Sequence, residues 1–393
     1  MPRLLAFVLA VWCALAAQAQ DVFVDKRGSQ AAYQRGQRAD AAGRRDEAIA
    51  AYTAAVAADP GNGAALAARG KDYLAAGNRD SARADMEQAV RVQPGNAEVY
   101  VARAEFYSAA GQPAMAISDY STAIAMKLER PEIYSARGGA NLAAQRYAAA
   151  IADFNQALKL RAGDGEAYKG LGLAQVALGQ PRDAIAAFGQ YLAGRPDDEQ
   201  ALVERALAYS AVVDYPSALR DLDAALKLDA NDLRALRVRG AVRERLGQMD
   251  GAIADYSEAI RRDPADVRLY VARAGVYERA KQYRESLEDR DHAVRMSPRE
   301  ADLYLARGGV YRLLGDNDKA LADFSVAVGL APTSAKAWLA RGSAYYYAGM
   351  FKEAVSDLNR AVQLDPSDAG ARGLANAAQK KVDEDRAGTS GPR

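Results

Sequence analysis

The sequence of 393 residues predicts an all-α solenoid: ten helix–turn–helix units in tandem, closed by a capping helix. Three observations predict it. One pattern of small residues, glycines and prolines returns every 34 residues from Ser29 to Asp368 with no insertion or deletion. Each period carries two helical patterns. The composition, 50% hydrophobic and 26% charged, is that of a folding chain and not a disordered one. A fixed period of this size marks stacked supersecondary units, and such an array lengthens by adding units instead of enlarging one core.

In chain order, the first element is a signal peptide over residues 1–19. Arg3 supplies its positive start, Leu4 to Ala17 is apolar throughout, and Ala17-Gln18-Ala19 fits a small-x-small cleavage site, so cutting is expected before Gln20. The alternative, a retained anchor, is short of the roughly 20 apolar residues that span a bilayer. Bulky Trp12 argues against a lipid on Cys13, the only cysteine. Cleavage removes Cys13 and Arg3, and the 52 basic residues fall into balance with 51 acidic ones. That balance excludes a general nucleic-acid binder, which needs a basic excess. No later stretch is apolar enough to span a membrane, so the mature chain is expected in a periplasm or outside the cell.

After a linker over 20–28, the ten units begin at Ser29, Gly63, Ala97, Pro131, Gly165, Glu199, Leu233, Val267, Ala301 and Ala335. Position eight is always small (Gly36, Gly70, Ala104, Gly138), and position twenty is Ala except at Ser286, which marks where two helices cross closely. Position fifteen is Gly in seven units, among them Gly43 and Gly247, where the first helix needs a left-handed end. Position thirty-two is Pro in seven, from Pro60 to Pro366, which stops the second helix. Leu128, Ala162 and Ala230 replace that proline, and Arg290 replaces a large apolar residue at position twenty-four, so looser joints are expected there. Residues 369–382 read as the capping helix, with Leu374 and Val382 inward; 383–393 read as a disordered tail.

This spacing resembles the tetratricopeptide repeat, a 34-residue helix–turn–helix, over residues 29–368. The resemblance implies a right-handed superhelix whose first helices line a concave groove. Most of the 21 tyrosines occupy repeat positions and read as packing; Tyr33, Tyr346 and Tyr347 are left over, on the groove face. Arginine at position seven in nine units and aspartate at position twenty-three in eight read as a structural ladder within each unit. The unit with Leu171 in place of the arginine also has Ala187 in place of the aspartate, and Arg35 is left facing Ala51.

The resemblance also assigns the groove to positions two, five, nine, twelve and thirteen of the first helix. Repeats two to six then present small or apolar residues, among them Leu142, Leu173, Val176, Val203 and Leu207, with Lys71 and Lys169 outnumbered by Glu98, Glu105, Glu132 and Glu166. Repeats seven to nine present Arg234, Arg237, Arg245, Arg268, Arg279 and Arg312 against Glu244, Glu278 and Asp302, and repeat ten adds Lys336, Tyr346 and Tyr347. An apolar trough leading to arginines suits an extended protein segment with acidic groups, because guanidinium binds carboxylate bidentately. A solvated arginine face is the alternative reading. Acidic polysaccharide is the second ligand class, in a scaffold for polysaccharide synthesis or export. No Asn stands at any mapped groove position, so neither the Lys/Asn clamp of chaperone-tail binders nor the asparagine ladder of the glycosyltransferase array is carried over.

Catalysis and cofactors are not expected. His292 is the only histidine, so neither a histidine metal cluster nor a histidine triad can be assembled. The glycines are accounted for by helix crossings and helix ends, and no phosphate-binding loop follows a strand. A relative of an enzyme that has lost its catalytic domain is the remaining, weaker class.

Overall fold

A computed structural model describes residues 24–389, and over that range the chain is 21 α-helices with no strand. The predicted signal peptide lies outside the described residues. Two compact units follow one another, the first ending at Gly194 and the second beginning at Arg195.

The first unit holds α1 (Lys26–Ala41), α2 (Arg45–Ala58), α3 (Gly63–Ala75), α4 (Arg79–Val92), α5 (Ala97–Ala109), α6 (Pro113–Ala125), α7 (Pro131–Ala143), α8 (Tyr147–Leu160), α9 (Gly165–Ala177) and α10 (Pro181–Gly194). The second holds α11 (Glu199–Ala211), α12 (Tyr215–Leu228), α13 (Leu233–Arg245), α14 (Met249–Arg262), α15 (Val267–Arg279), α16 (Tyr283–Met296), α17 (Ala301–Leu313), α18 (Asn317–Leu330), α19 (Ala335–Tyr347), α20 (Phe351–Leu364) and α21 (Ala369–Thr389). Within each unit, paired helices pack on each other and on the next pair, which is the arrangement the period predicts.

The punctuation works as chemistry requires. Asn62, Asp164, Asp198 and Asp232 each cap a first helix by accepting a hydrogen bond from its opening backbone N–H groups. Every first helix ends on a left-handed residue at position fifteen: seven glycines at φ between 69° and 83°, and Gln145, Val213 and Lys281 at 58°, 64° and 59°. A Cβ costs energy in that region, most of all a branched one, so Val213 is the strained member. At position eight the glycines admit the side chain of position twenty-four: a Cβ on Gly138 would stand 2.8 Å from the Phe154 ring, and on Gly308 2.7 Å from Phe324. The position-twenty alanines Ala48, Ala82, Ala116, Ala150 and Ala184 are completely buried.

The joints without proline pack no less closely than the others. After repeat three the helix is stopped by Lys127, left-handed at φ 68°, whose N–H bonds the carbonyl of Ile124. Arg290 loosens nothing either. Its guanidinium donates to Glu278 at 2.7 and 3.1 Å, and the Ser286 hydroxyl donates to the same carboxylate oxygen at 3.1 Å. Two residues that break the repeat pattern, Ser286 and Arg290, thus share one groove-face carboxylate, Glu278.

Both ends are more helical than the sequence pattern suggests. α1 starts at Lys26, inside the stretch assigned to a linker, because Asp25 caps it by accepting from Gly28 N–H at 2.8 Å. α21 runs to Thr389, past the boundary at 382, where Lys381–Glu384 and Lys380–Glu384 pairs add i,i+3 and i,i+4 support. Its inner side buries Ala371, Ala375, Ala378 and Val382 and packs Leu374 against Ala354 and Leu358 of α20.

Candidate functional site

The arginines divide by what holds them. At position seven, eight of the nine arginines pair within their own repeat at 2.6–2.7 Å: Arg69–Asp85, Arg103–Asp119, Arg137–Asp153, Arg205–Asp221, Arg239–Asp255, Arg273–Asp289, Arg307–Asp323 and Arg341–Asp357. Each is a two-pronged contact through Nε and Nη2, and the aspartates are buried. These hydrogen bonds hold the guanidinium pKa of Arg69, Arg103 and Arg273 above its ordinary value. Aromatic rings at positions four and eleven flank the cation, as Tyr304 and Tyr311 do for Arg307 at 5.6 and 5.8 Å.

The remaining nitrogen reaches the preceding repeat. Arg69 donates to Thr53, Arg137 to Ser121, Arg239 to Asp223, Arg273 to Ser257 and Arg307 to Asp291, at 2.8–3.2 Å. In these five repeats the rung ties repeat to repeat as well as helix to helix. The periodic pattern points to pairing within a unit and does not show that one arginine can reach both ways. The signal was a hydrogen-bonding residue at position twenty-five, two places after the ladder position. Repeat five replaces the rung with Leu171 against Ala187, both buried, and leaves Gln175 Oε1 buried with no hydrogen-bond partner.

On the predicted groove face most charges are already spent. In the first unit Glu98 pairs with Arg130, Glu105 with Lys71 and Glu132 with Arg161. In the second, three of the six predicted arginines are neutralised. Arg234 binds Glu204 at 2.7 Å, Arg279 binds Glu244, and Arg268 folds back on its own helix cap, Asp266, with two contacts of 2.8 Å. Lys336 meets Asp302 at 3.3 Å, both largely in solvent. The sequence reading of a six-arginine cluster is corrected accordingly: the exposed arginines without an ion pair are Arg237, Arg245 and Arg312.

Two of these converge. Arg237 and Arg245 of α13 line a pocket of about 550 Å³ with Leu207 and Ser210 of α11, Tyr215 at the start of α12, and Val238, Ala241 and Val242. Leu207, Arg237 and Arg245 were predicted from the sequence; Tyr215 had been assigned to packing. Two unpaired guanidinium groups over an apolar wall can accept carboxylates while the wall takes side-chain carbon.

The other predicted residues lie elsewhere. Val203 is 1% exposed and is core, not a contact residue. Position five is likewise buried at Ala67, Val101 and Leu305, because a short apolar chain there gains by turning inward while the longer Arg237 reaches solvent. Leu142 packs on the cluster of Tyr134, Phe154 and Leu171; Leu173 and Val176 are half-buried on α9. Tyr346 packs against α20 and α21, Tyr33 lies 5.7 Å from Tyr52, and Tyr347 alone of the leftover tyrosines is exposed, at 71%. His292 stacks on Tyr270 at 4.2 Å. No group of three or more His, Cys, Asp or Glu suited to a metal ion occurs among the described residues, and no helix among them is long and apolar enough to cross a membrane.

Paired helices, left-handed turns and a repeat-to-repeat rung define a helical-repeat protein. The chain belongs to the tetratricopeptide repeat family, whose models match residues 33–71, 67–114, 107–167, 141–208, 204–267, 271–335 and 335–368. Solved structures similar to it include a tetratricopeptide repeat protein from Parabacteroides merdae (19% identity over 63% of this chain and 98% of that one, TM-score 0.48) and yeast Tom70 (16%, 91% and 89%, TM-score 0.42). YrrB, described as a TPR protein with an unusual peptide-binding site, is 23% identical over 50% of this chain and 99% of its own, with a TM-score of 0.42. No curated protein matches the chain.

Proposed function

We propose that this protein is a non-catalytic scaffold that docks an extended, acidic segment of a partner protein on the first helices of its second unit. The observation that carries the reading is the pocket where Arg237 and Arg245, without ion pairs, stand beside Leu207 and Tyr215. Neighbouring groove charges are bound to one another, so leaving two arginines free there costs nothing in pairing and provides two carboxylate receptors. An apolar wall favours a polypeptide over a glycan, which offers little carbon surface to bury. The signal-like residues 1–19 support a place in a bacterial cell envelope.

Titration with an acidic peptide and with an acidic polysaccharide tests the proposal. The double variant Arg237→Ala/Arg245→Ala is expected to weaken the peptide by about 1–3 kcal/mol per lost charge-assisted contact. Its unfolding should be unchanged, because neither side chain holds a partner. Equal binding by wild type and variant would remove the pocket from the account. Preference for the polysaccharide would move the function to glycan handling.

A further inference from the structure

A second receptor is built into the first repeat, by deletion. In six other repeats position eleven is tyrosine and in eight position twenty-three is aspartate, and both groups meet the arginine of position seven. Repeat one keeps the arginine, Arg35, but has Ala39 and Ala51 at those two places. Among the described residues no repeat precedes it to supply the further contact that Thr53 gives Arg69. The result is a pocket of about 440 Å³ between α1 and α2, lined by three arginines, Arg35, Arg38 and Arg44, by one acid, Glu47, and by alanines that include Ala39 and Ala51. Arg35 and Arg38 are exposed and form no ion pair, and Arg44 is tied only to solvent-exposed Glu47 at 3.1 Å. The space lies beside the two positions where other repeats carry a phenol ring and a carboxylate.

We propose that this pocket takes a partner polypeptide's Tyr-Xaa-Asp segment, whose ring and carboxylate stand in for the two missing side chains. Residues two apart on an extended strand share a face, so one short segment presents both groups to Arg35 together. The bound carboxylate takes the two-pronged contact that Asp85 makes with Arg69, and the ring lies beside the guanidinium as Tyr73 does at 5.8 Å. The site is independent of the pocket at Arg237.

The experiment uses the full chain carrying Arg237→Ala/Arg245→Ala, so that the other pocket contributes nothing, and a labelled acetyl-Gly-Tyr-Ser-Asp-Gly-amide peptide followed by anisotropy. Binding is expected, with at least a tenfold loss when the peptide's Asp is replaced by Asn. Ala51→Asp supplies the carboxylate from within; it should abolish binding and raise the Tm. Arg35→Ala should abolish binding with the Tm unchanged, and because Arg35 is exposed and unpaired this variant folds whatever becomes of Ala51→Asp. Peptide binding that survives Arg35→Ala, or no binding by the parent chain at millimolar peptide, would overturn the proposal.

Discussion

Arg237 and Arg239 lie two residues apart on α13 and do opposite work. Arg239 points into the seam between helices, where Asp255 and Asp223 take its guanidinium at 2.6 and 2.8 Å and only 18% of the side chain is exposed. Arg237 faces solvent beside an apolar pocket with no ion pair. The seam and the face teach a general point about a charged repeat. A guanidinium that meets its carboxylate inside the fold is framework, and one that does not is available to a guest. Charge on a face therefore has to be counted after pairing, not before.

The seam predicts the largest effects. Asp255 is 3% exposed and holds both Arg239 and Arg243, so Asp255→Ala leaves two partly buried cations with only the half-exposed Asp223 between them. Chemical denaturation should show a loss of about 3–5 kcal/mol, the size expected for breaking a buried pair from one side. Repeat five sharpens the contrast, since Leu171 and Ala187 occupy the same seam without charge. Installing that pair in repeat eight, as Arg273→Leu with Asp289→Ala, should cost far less than Asp289→Ala alone. A double variant as damaged as the single one would mean that the seam needs its charges and not merely a filled space.

Smaller effects come from the turns and the carboxyl pairs. Val213 is 66% exposed and left-handed, so Val213→Gly gives up little packing and relieves strain; a gain of about 1 kcal/mol in unfolding free energy is expected. At the start of α11, Glu199 shares a hydrogen bond with the Asp232 carboxyl, and this pairing, with burial and the charges of Asp229 and Asp198, pushes its pKa up to about 7. The folded chain thus binds a proton between the ordinary glutamate value and about 7 that the unfolded chain releases. Stability from this site is present at low pH and is lost as pH rises through 7. Glu199→Gln should flatten that part of the stability–pH curve, and an unchanged slope between pH 5 and 8 would show that the two carboxyls do not interact.

The fold was legible because its determinants are local and periodic. Small residues at crossings, left-handed glycines and the Arg–Asp register each recur at one position, so ten copies repeat the same statement. Even Gln145, Val213 and Lys281, which break the glycine rule, adopt the turn the other seven specify. The site was only half legible. Leu207, Arg237 and Arg245 were on the predicted face, but Val203 was placed there too, and Arg234, Arg268 and Arg279 were counted as free. Nothing in a periodic pattern tells whether a long side chain reaches 30-odd residues along the chain to a glutamate, as Arg234 does to Glu204 and Arg279 to Glu244. The cluster of Glu278, Ser286 and Arg290 was hidden for the same reason: Ser286 and Arg290 read as separate departures and Glu278 as a groove charge, and only the structure places them together.

The division between seam and face is tested most directly by measuring Arg237→Ala and Arg239→Ala side by side, each for urea unfolding and for affinity to an acidic peptide. The structure predicts that Arg239→Ala lowers stability by several times RT, about 3–5 kcal/mol for a broken buried pair. Arg237→Ala should leave the unfolding curve in place and weaken the peptide about tenfold or more. Two variants that unfold alike, or an Arg237→Ala protein that binds like the wild type, would contradict it.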